Sequence, residues 1–172
     1  PYRQQRQMCI RDSIYSFSQI EDRVKALHET NTEAATAVAI SWLGLSHEEL
    51  KTLRVSDYNS AMRMLHTAGR VVYVHEDLIA DMLKAICEEA PEYSMGFFIT
   101  NVNAAYEAAE KQGLSPISVL KMRYFYEKHS AKLSGEPEDR VFLKEILRSV
   151  GESEADMEKQ FAEYEKDAPE KI

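Results

Sequence analysis

The sequence predicts a mainly helical α+β domain, with about seven to eight helices around a small antiparallel β-sheet. Three observations predict it. Apolar residues recur at helical spacing from Ile20 to Tyr164, with capping residues at most of the boundaries. Only Met62 to Val74 is centred on a turn and rich in β-branched residues. A length of 172 residues, 44% of them hydrophobic and 29% charged, suits one globular core and excludes a disordered or collagen-like chain.

In chain order, Ile20, Val24 and Leu27 fall at i, i+4 and i+7 and give a first amphipathic helix ending near His28. Asn31 and Thr32 cap a second helix running to about Gly44. It is apolar on nearly every side, so it belongs in the centre of the fold. Ser46-His47-Glu48-Glu49 has the form of a capping box and opens a short helix through Leu50 and Leu53. After the turn Asp57-Tyr58-Asn59, the arms 62–65 and 70–74 flank Thr67-Ala68-Gly69 as a hairpin. Gly96-Phe97-Phe98-Ile99 is the expected third strand, because two strands alone are marginal. Leu78, Ile79, Met82, Leu83 and Ile86 form a helix stopped by Pro91, and a further helix covers about Asn101 to Gln112. Ser115-Pro116 starts a long helix to about Leu133. Leu143, Ile146, Leu147 and Val150 make a stripe ended by Gly151, and Ser153 caps a last helix carrying Met157, Phe161 and Tyr164.

Charge and composition narrow the function. The net charge of −8 gives no support to an electrostatically driven binder of nucleic acid or anionic membranes. The apolar run from Ala34 to Leu45 is shorter than a membrane span and is interrupted by Thr36 and Ser41. Cys9 and Cys87 stand far apart outside any CxxC pattern, which fits a reducing cytoplasm and neither a disulfide framework nor a thiol zinc site. The histidines at 28, 47, 66, 75 and 129 lack metal-ligand spacing, and no phosphate loop, zinc-protease or nucleophile-elbow motif occurs. The expectation is no metal and no cofactor.

Gln5-Arg6-Gln7-Met8-Cys9-Ile10-Arg11-Asp12 has neither amphipathic period nor cleavage site, and it resembles the in-frame translation of a sequencing-library adapter. Residues 1–13 are therefore read as a non-native segment, and 14–172 as one domain with an acidic C-terminal helix and tail. Without those thirteen residues, 18 basic and 28 acidic side chains remain, a net charge of −10.

A second resemblance covers roughly residues 17–168. Gly44-Leu45-Ser46-His47-Glu48-Glu49-Leu50-Lys51-Thr52-Leu53-Arg54-Val55-Ser56-Asp57-Tyr58-Asn59 resembles, without a gap, the GLRxSELxxLxxxDI signature of tyrosine recombinases, the phage-integrase family. The order of elements that follows is similar to that family's catalytic domain. The resemblance implies a fold of that kind, a phage or mobile-element setting, and an ancestral chemistry in which a tyrosine hydroxyl attacks a DNA phosphodiester. Arginines, a lysine and histidines then hold the phosphate oxygens as they gain charge.

Carried over residue by residue, those roles leave a nearly empty site. Ser46 stands at the first arginine position, and the hairpin Leu65-His66-Thr67-Ala68-Gly69-Arg70 offers no lysine. The HxxR motif reads Leu120-Lys121-Met122-Arg123, so Arg123 alone is retained. Glu152 follows Gly151 where a histidine belongs, and Phe161 stands at the nucleophile position. Losing one such donor costs roughly 10²- to 10³-fold, and losing the nucleophile removes the route itself. The resemblance therefore implies a pseudoenzyme. Tyr164, one helical turn past Phe161, is the candidate displaced nucleophile; its plainer role is packing. Arg123 has as its plain role an ion pair with Glu127 at i+4, and Glu48-Glu49 that of a helix N-terminus.

Residues 114–151 carry a local balance of +2, with Lys121, Lys128, Lys132 and Arg148 as DNA-binding candidates, whereas 152–172 carries −5. The expected partners are duplex DNA at low affinity, or a protein or second copy reached through the C-terminal helix, with no membrane. The competing expectation is an acidic helical interaction module with no DNA role; an active recombinase using Tyr164 comes last.

Overall fold

The computed structural model of the chain describes residues 16–67, 69–89 and 95–167. The segment 1–13 and the side chain of Tyr164 lie outside what is described. After a 3₁₀ turn at Phe17–Gln19 come α1 (Glu21–Thr30), α2 (Thr32–Trp42) and α3 (His47–Thr52), then strands β1 (Tyr58–Asn59), β2 (Met64–Thr67) and β3 (Arg70–Tyr73). Helices α4 (Asp77–Glu89), α5 (Val102–Lys111), α6 (Pro116–Ser134), α7 (Arg140–Val150) and α8 (Glu154–Asp167) follow. The described residues are thus mainly α, with one three-stranded antiparallel sheet in the order β1-β2-β3.

The apolar character of α2 on all sides decides the packing. Every residue from Ala34 to Trp42 is buried, and α1, α4, α5 and α6 pack around it. Its two buried hydroxyls are satisfied within the helix: Thr36 donates to the Thr32 carbonyl and Ser41 to that of Ala37, both at 2.8 Å. Trp42 closes the helix at 1% exposure, its ring centre 5.7 Å from Phe17 and 5.5 Å from Tyr126, and its Nε1 donates to Glu76 Oε1 at 2.9 Å.

Caps sit where side-chain oxygens meet orphan amides. Asn31, Ser46, Asn101, Ser115 and Asp139 each accept from a backbone N–H in the first turn of the helix that follows. Gly135 and Gly151 end α6 and α7 in the left-handed conformation.

The sheet corrects one expectation. Gly96-Phe97-Phe98-Ile99 is not the third strand; it runs beside the exit of α3, where Val55 N–H donates to the Gly96 carbonyl at 2.8 Å and Phe98 N–H to that of Leu53 at 3.2 Å. Phe98 and Ile99 are buried in the main core, which holds the segment there. The free edge of β2 is taken instead by β1, whose short connection makes closure cheap, pairing Tyr58 with Leu65 and Asn59 with Met64. Leu65 opposes Val72 on the core side.

Helix α6 has no single apolar stripe because it serves two cores. Val119 belongs to the main one, with Met122 and Tyr126 packed against it. Leu120 and Tyr124 join Leu143, Ile146 and Met157 in a smaller core shared with α7 and α8.

Candidate functional site

A cleft of about 680 Å³ lies between the N-terminus of α3, the β2–β3 hairpin and α7. Ser46, His47, Glu49, Arg70, Arg148 and Ser149 are among its walls. Ser46, the first family position, works here as an N-cap: it accepts from Glu49 N–H at 3.2 Å, while its own N–H donates to Glu49 Oε1 at 3.1 Å. Glu49 also receives Arg70. Nη2 donates to Oε1 at 2.6 Å and Nε to Oε2 at 3.3 Å, Thr67 Oγ1 adds 2.9 Å, and the same Nη2 reaches the Gly44 carbonyl at 3.0 Å. Arg70 is thus a hairpin cation that reading the family's lysine position alone overlooks; Glu49, five residues past Gly44 at the head of a helix, is the only hint of its partner.

Burial by itself raises the Glu49 carboxyl, but Arg70, the Ser46 amide and Thr67 outweigh it, and the group lies below its ordinary value of 4.5. A depressed carboxyl contributes stability above its unfolded pKa and loses it as pH falls through the folded value. Glu49→Gln is therefore expected to cost about 1–2 kcal/mol at neutral pH, because both side chains are mostly buried and Arg70 is left without its carboxylate. The gap between wild type and variant should close below pH 4.5, as urea melts across pH will show; a constant gap would mean that the pair contributes nothing.

Arg123 is not in this cleft. It lines a second cavity of about 360 Å³ with His75, Glu76, Tyr126 and Glu127. Its guanidinium lies 5.5 Å from the ring centres of Trp42 and Tyr126 and 5.1 Å from that of Phe142, and pairs with Glu127 at 3.4 Å, the plain role expected for it. Phe142 also abuts Gly44 (φ +91°), so closely that a Cβ there would sit 2.5 Å from the ring. One aromatic ring thus fills the space between the chain entering Ser46 and the guanidinium of Arg123. Phe142 corresponds to none of the motifs quoted above, so the sequence carries no signal for it.

The remaining positions are packing or pairing groups. Leu120 is fully buried, and Phe161 packs on Phe125 with ring centres 5.2 Å apart. Glu152, the acid at the histidine position, pairs with Lys121 at 2.5 Å and accepts from Gln160 at 2.6 Å; the Lys121 contact holds its carboxyl below the usual range. Lys128 pairs with Glu154 at 3.1 Å and with Glu158. Burial alone would lower its ammonium, yet the two carboxylates raise it well above the ordinary lysine value. Of the DNA-binding candidates, Lys121 and Lys128 are therefore committed to acids just before and along α8. Lys132 and Arg148 are exposed.

No grouping of three or more His, Cys, Asp or Glu suited to a metal ion occurs among the described residues, and none of their helices is long and apolar enough to cross a membrane. No protein-family model, curated protein or solved structure matches the chain. The likeness to tyrosine recombinases rests on the residues themselves.

Proposed function

We propose that this is a noncatalytic, tyrosine-recombinase-like domain acting as a DNA-associated accessory or regulatory factor of a mobile element. One observation carries the catalytic half of that reading: Ser46, Arg123 and Phe161 line three different cavities, where Ser46 serves as an N-cap, Arg123 pairs with Glu127 and Phe161 has no hydroxyl. An enzyme of this class needs its cations and nucleophile converging on one phosphate. Here Arg123 is engaged by Glu127 and three rings, and the acid at Glu152 faces a lysine.

The decisive experiment offers the full chain a nicked suicide duplex, which traps a phosphotyrosyl adduct if one forms. No adduct is expected, from wild type or from Tyr164→Phe. An adduct with wild type that vanishes in the variant would instead establish an active enzyme using Tyr164. Binding to an intact duplex at low salt tests the DNA role, and weak binding with a shallow salt dependence is expected because few cations are available to release counterions. The capture of Lys121 and Lys128 by acids favours the second reading, an acidic protein-interaction module. A complete lack of duplex binding at low salt would select it.

A further inference from the structure

We infer that α8 is a removable cover over a phosphate-binding stripe on α6, an inference that rests on the DNA-associated reading above. Lys121, Lys128 and Lys132 stand at i, i+7 and i+11, so the three ammonium groups and Phe125 between them follow one face of the helix for roughly 16 Å. On that face the first two lysines meet Glu152, Glu154 and Glu158. Each carboxylate takes the place that a phosphate oxygen would occupy, and an ammonium on a flexible stem accepts either as a point charge.

Three ion pairs and one small apolar contact hold the cover down. Met157 is the one fully buried side chain of α8 among the described residues, with half-buried Phe161 resting on Phe125 beside it. In α2, by contrast, nine consecutive residues are buried. Along α8 six acidic residues accompany two lysines, so the helix is itself a polyanion. A contact of this kind weakens as salt rises, and a denser polyanion competes for the same lysines. The phosphate backbone of a duplex is such a competitor. Displacement of α8 would expose Lys121 and Lys128 next to the already exposed Lys132, and would remove the acids that repel phosphate from that face.

The test uses the full chain carrying Glu152→Gln, Glu154→Gln and Glu158→Gln together. Its comparison is a charge-matched variant altered at exposed acids elsewhere, Glu29→Gln, Glu107→Gln and Glu110→Gln. Binding to a short duplex is followed by fluorescence anisotropy between about 50 and 200 mM salt. The α8 variant is expected to bind at least tenfold more tightly than either wild type or the charge-matched variant, with a salt slope steeper by about two. Adding Lys128→Ala should erase most of the gain. Limited proteolysis within α8 of the wild-type chain, accelerating with added salt, supplies a second measure that needs no substitution.

Equal affinities for the two triple variants would overturn the cover, as would a gain that survives Lys128→Ala. These outcomes separate from failure of the underlying reading. Wild type binding duplex with no advantage for the α8 variant leaves the DNA role standing and removes the cover. Absence of binding by every variant, with α8 shown by proteolysis to be released, removes both. An acidic helical peptide captured by the released stripe in preference to duplex would make the surface a protein-docking one and overturn the phosphate assignment.

Discussion

Trp42→Ala is expected to lower stability by about 4 kcal/mol, the middle of the range for removing a buried aromatic residue. The melting temperature should fall by roughly 10 °C in a domain of this size. Trp42 is 1% exposed at the end of the central helix, and four interactions end with it. The ring contacts to Phe17 and Tyr126 go, Glu76 loses its indole donor, and Arg123 loses one of the three rings it lies over. Because the helix around it is packed without a polar face, little can move in to fill the space. Thermal and urea unfolding measure the effect, and a loss below about 1 kcal/mol would show that the end of α2 is loosely packed.

Leu120→His places a histidine where the HxxR motif of the family that the chain resembles has one, and is expected to destabilise by about 3–5 kcal/mol without producing any strand-cleaving chemistry. Leu120 is wholly buried in the small core with Tyr124, Leu143, Ile146 and Met157, where an imidazole finds apolar neighbours and loses its water. The same core contains the buried methionine of α8, so the variant should also loosen that helix, and protease sensitivity within α8 should rise. Wild-type stability together with a new covalent adduct on a nicked duplex would refute the assignment of this position to packing.

These two positions differ in how far the sequence exposed them. Trp42 lies in a helix apolar on all sides, which announces a central, buried element before any contact is known. Against the motif that the chain resembles, Leu120 shows only as an absent histidine, while its place in a second core depends on α7 and α8 coming together around α6. Locally readable features held in the same way: the Ser46 and Glu49 capping box, Ser115 with Pro116, and Gly151 each act within a few residues of backbone. The sequence alone does not place the third strand, because Phe98 and Ile99 suit a sheet and the main core equally. Packing against the α3 exit chose the core, and the nearer Tyr58–Asn59 took the sheet edge.

The candidate site is legible in the sequence mainly as departures. Ser46, Leu120, Glu152 and Phe161 differ from the pattern that the chain resembles, and composition alone shows the acidity of the last helix. The partners that these segments find are not legible there. Arg70 meets Glu49 across 21 residues, Lys121 meets Glu152 across 31, and Phe142 fills the gap beside Gly44 from nearly one hundred residues away.

The helices, their caps and the burial of α2 can thus be read from the chain alone, since each follows from residues within a turn or two or from the identity of a single side chain. Which strand completes the sheet, how Ser46, Arg123 and Phe161 come to line separate cavities, and how the acids before and along α8 meet the lysines of α6 depend on the packed fold. Those outcomes are pairings between distant segments, set by which apolar faces bury one another, and a charge finds its partner only after that packing has brought the two together.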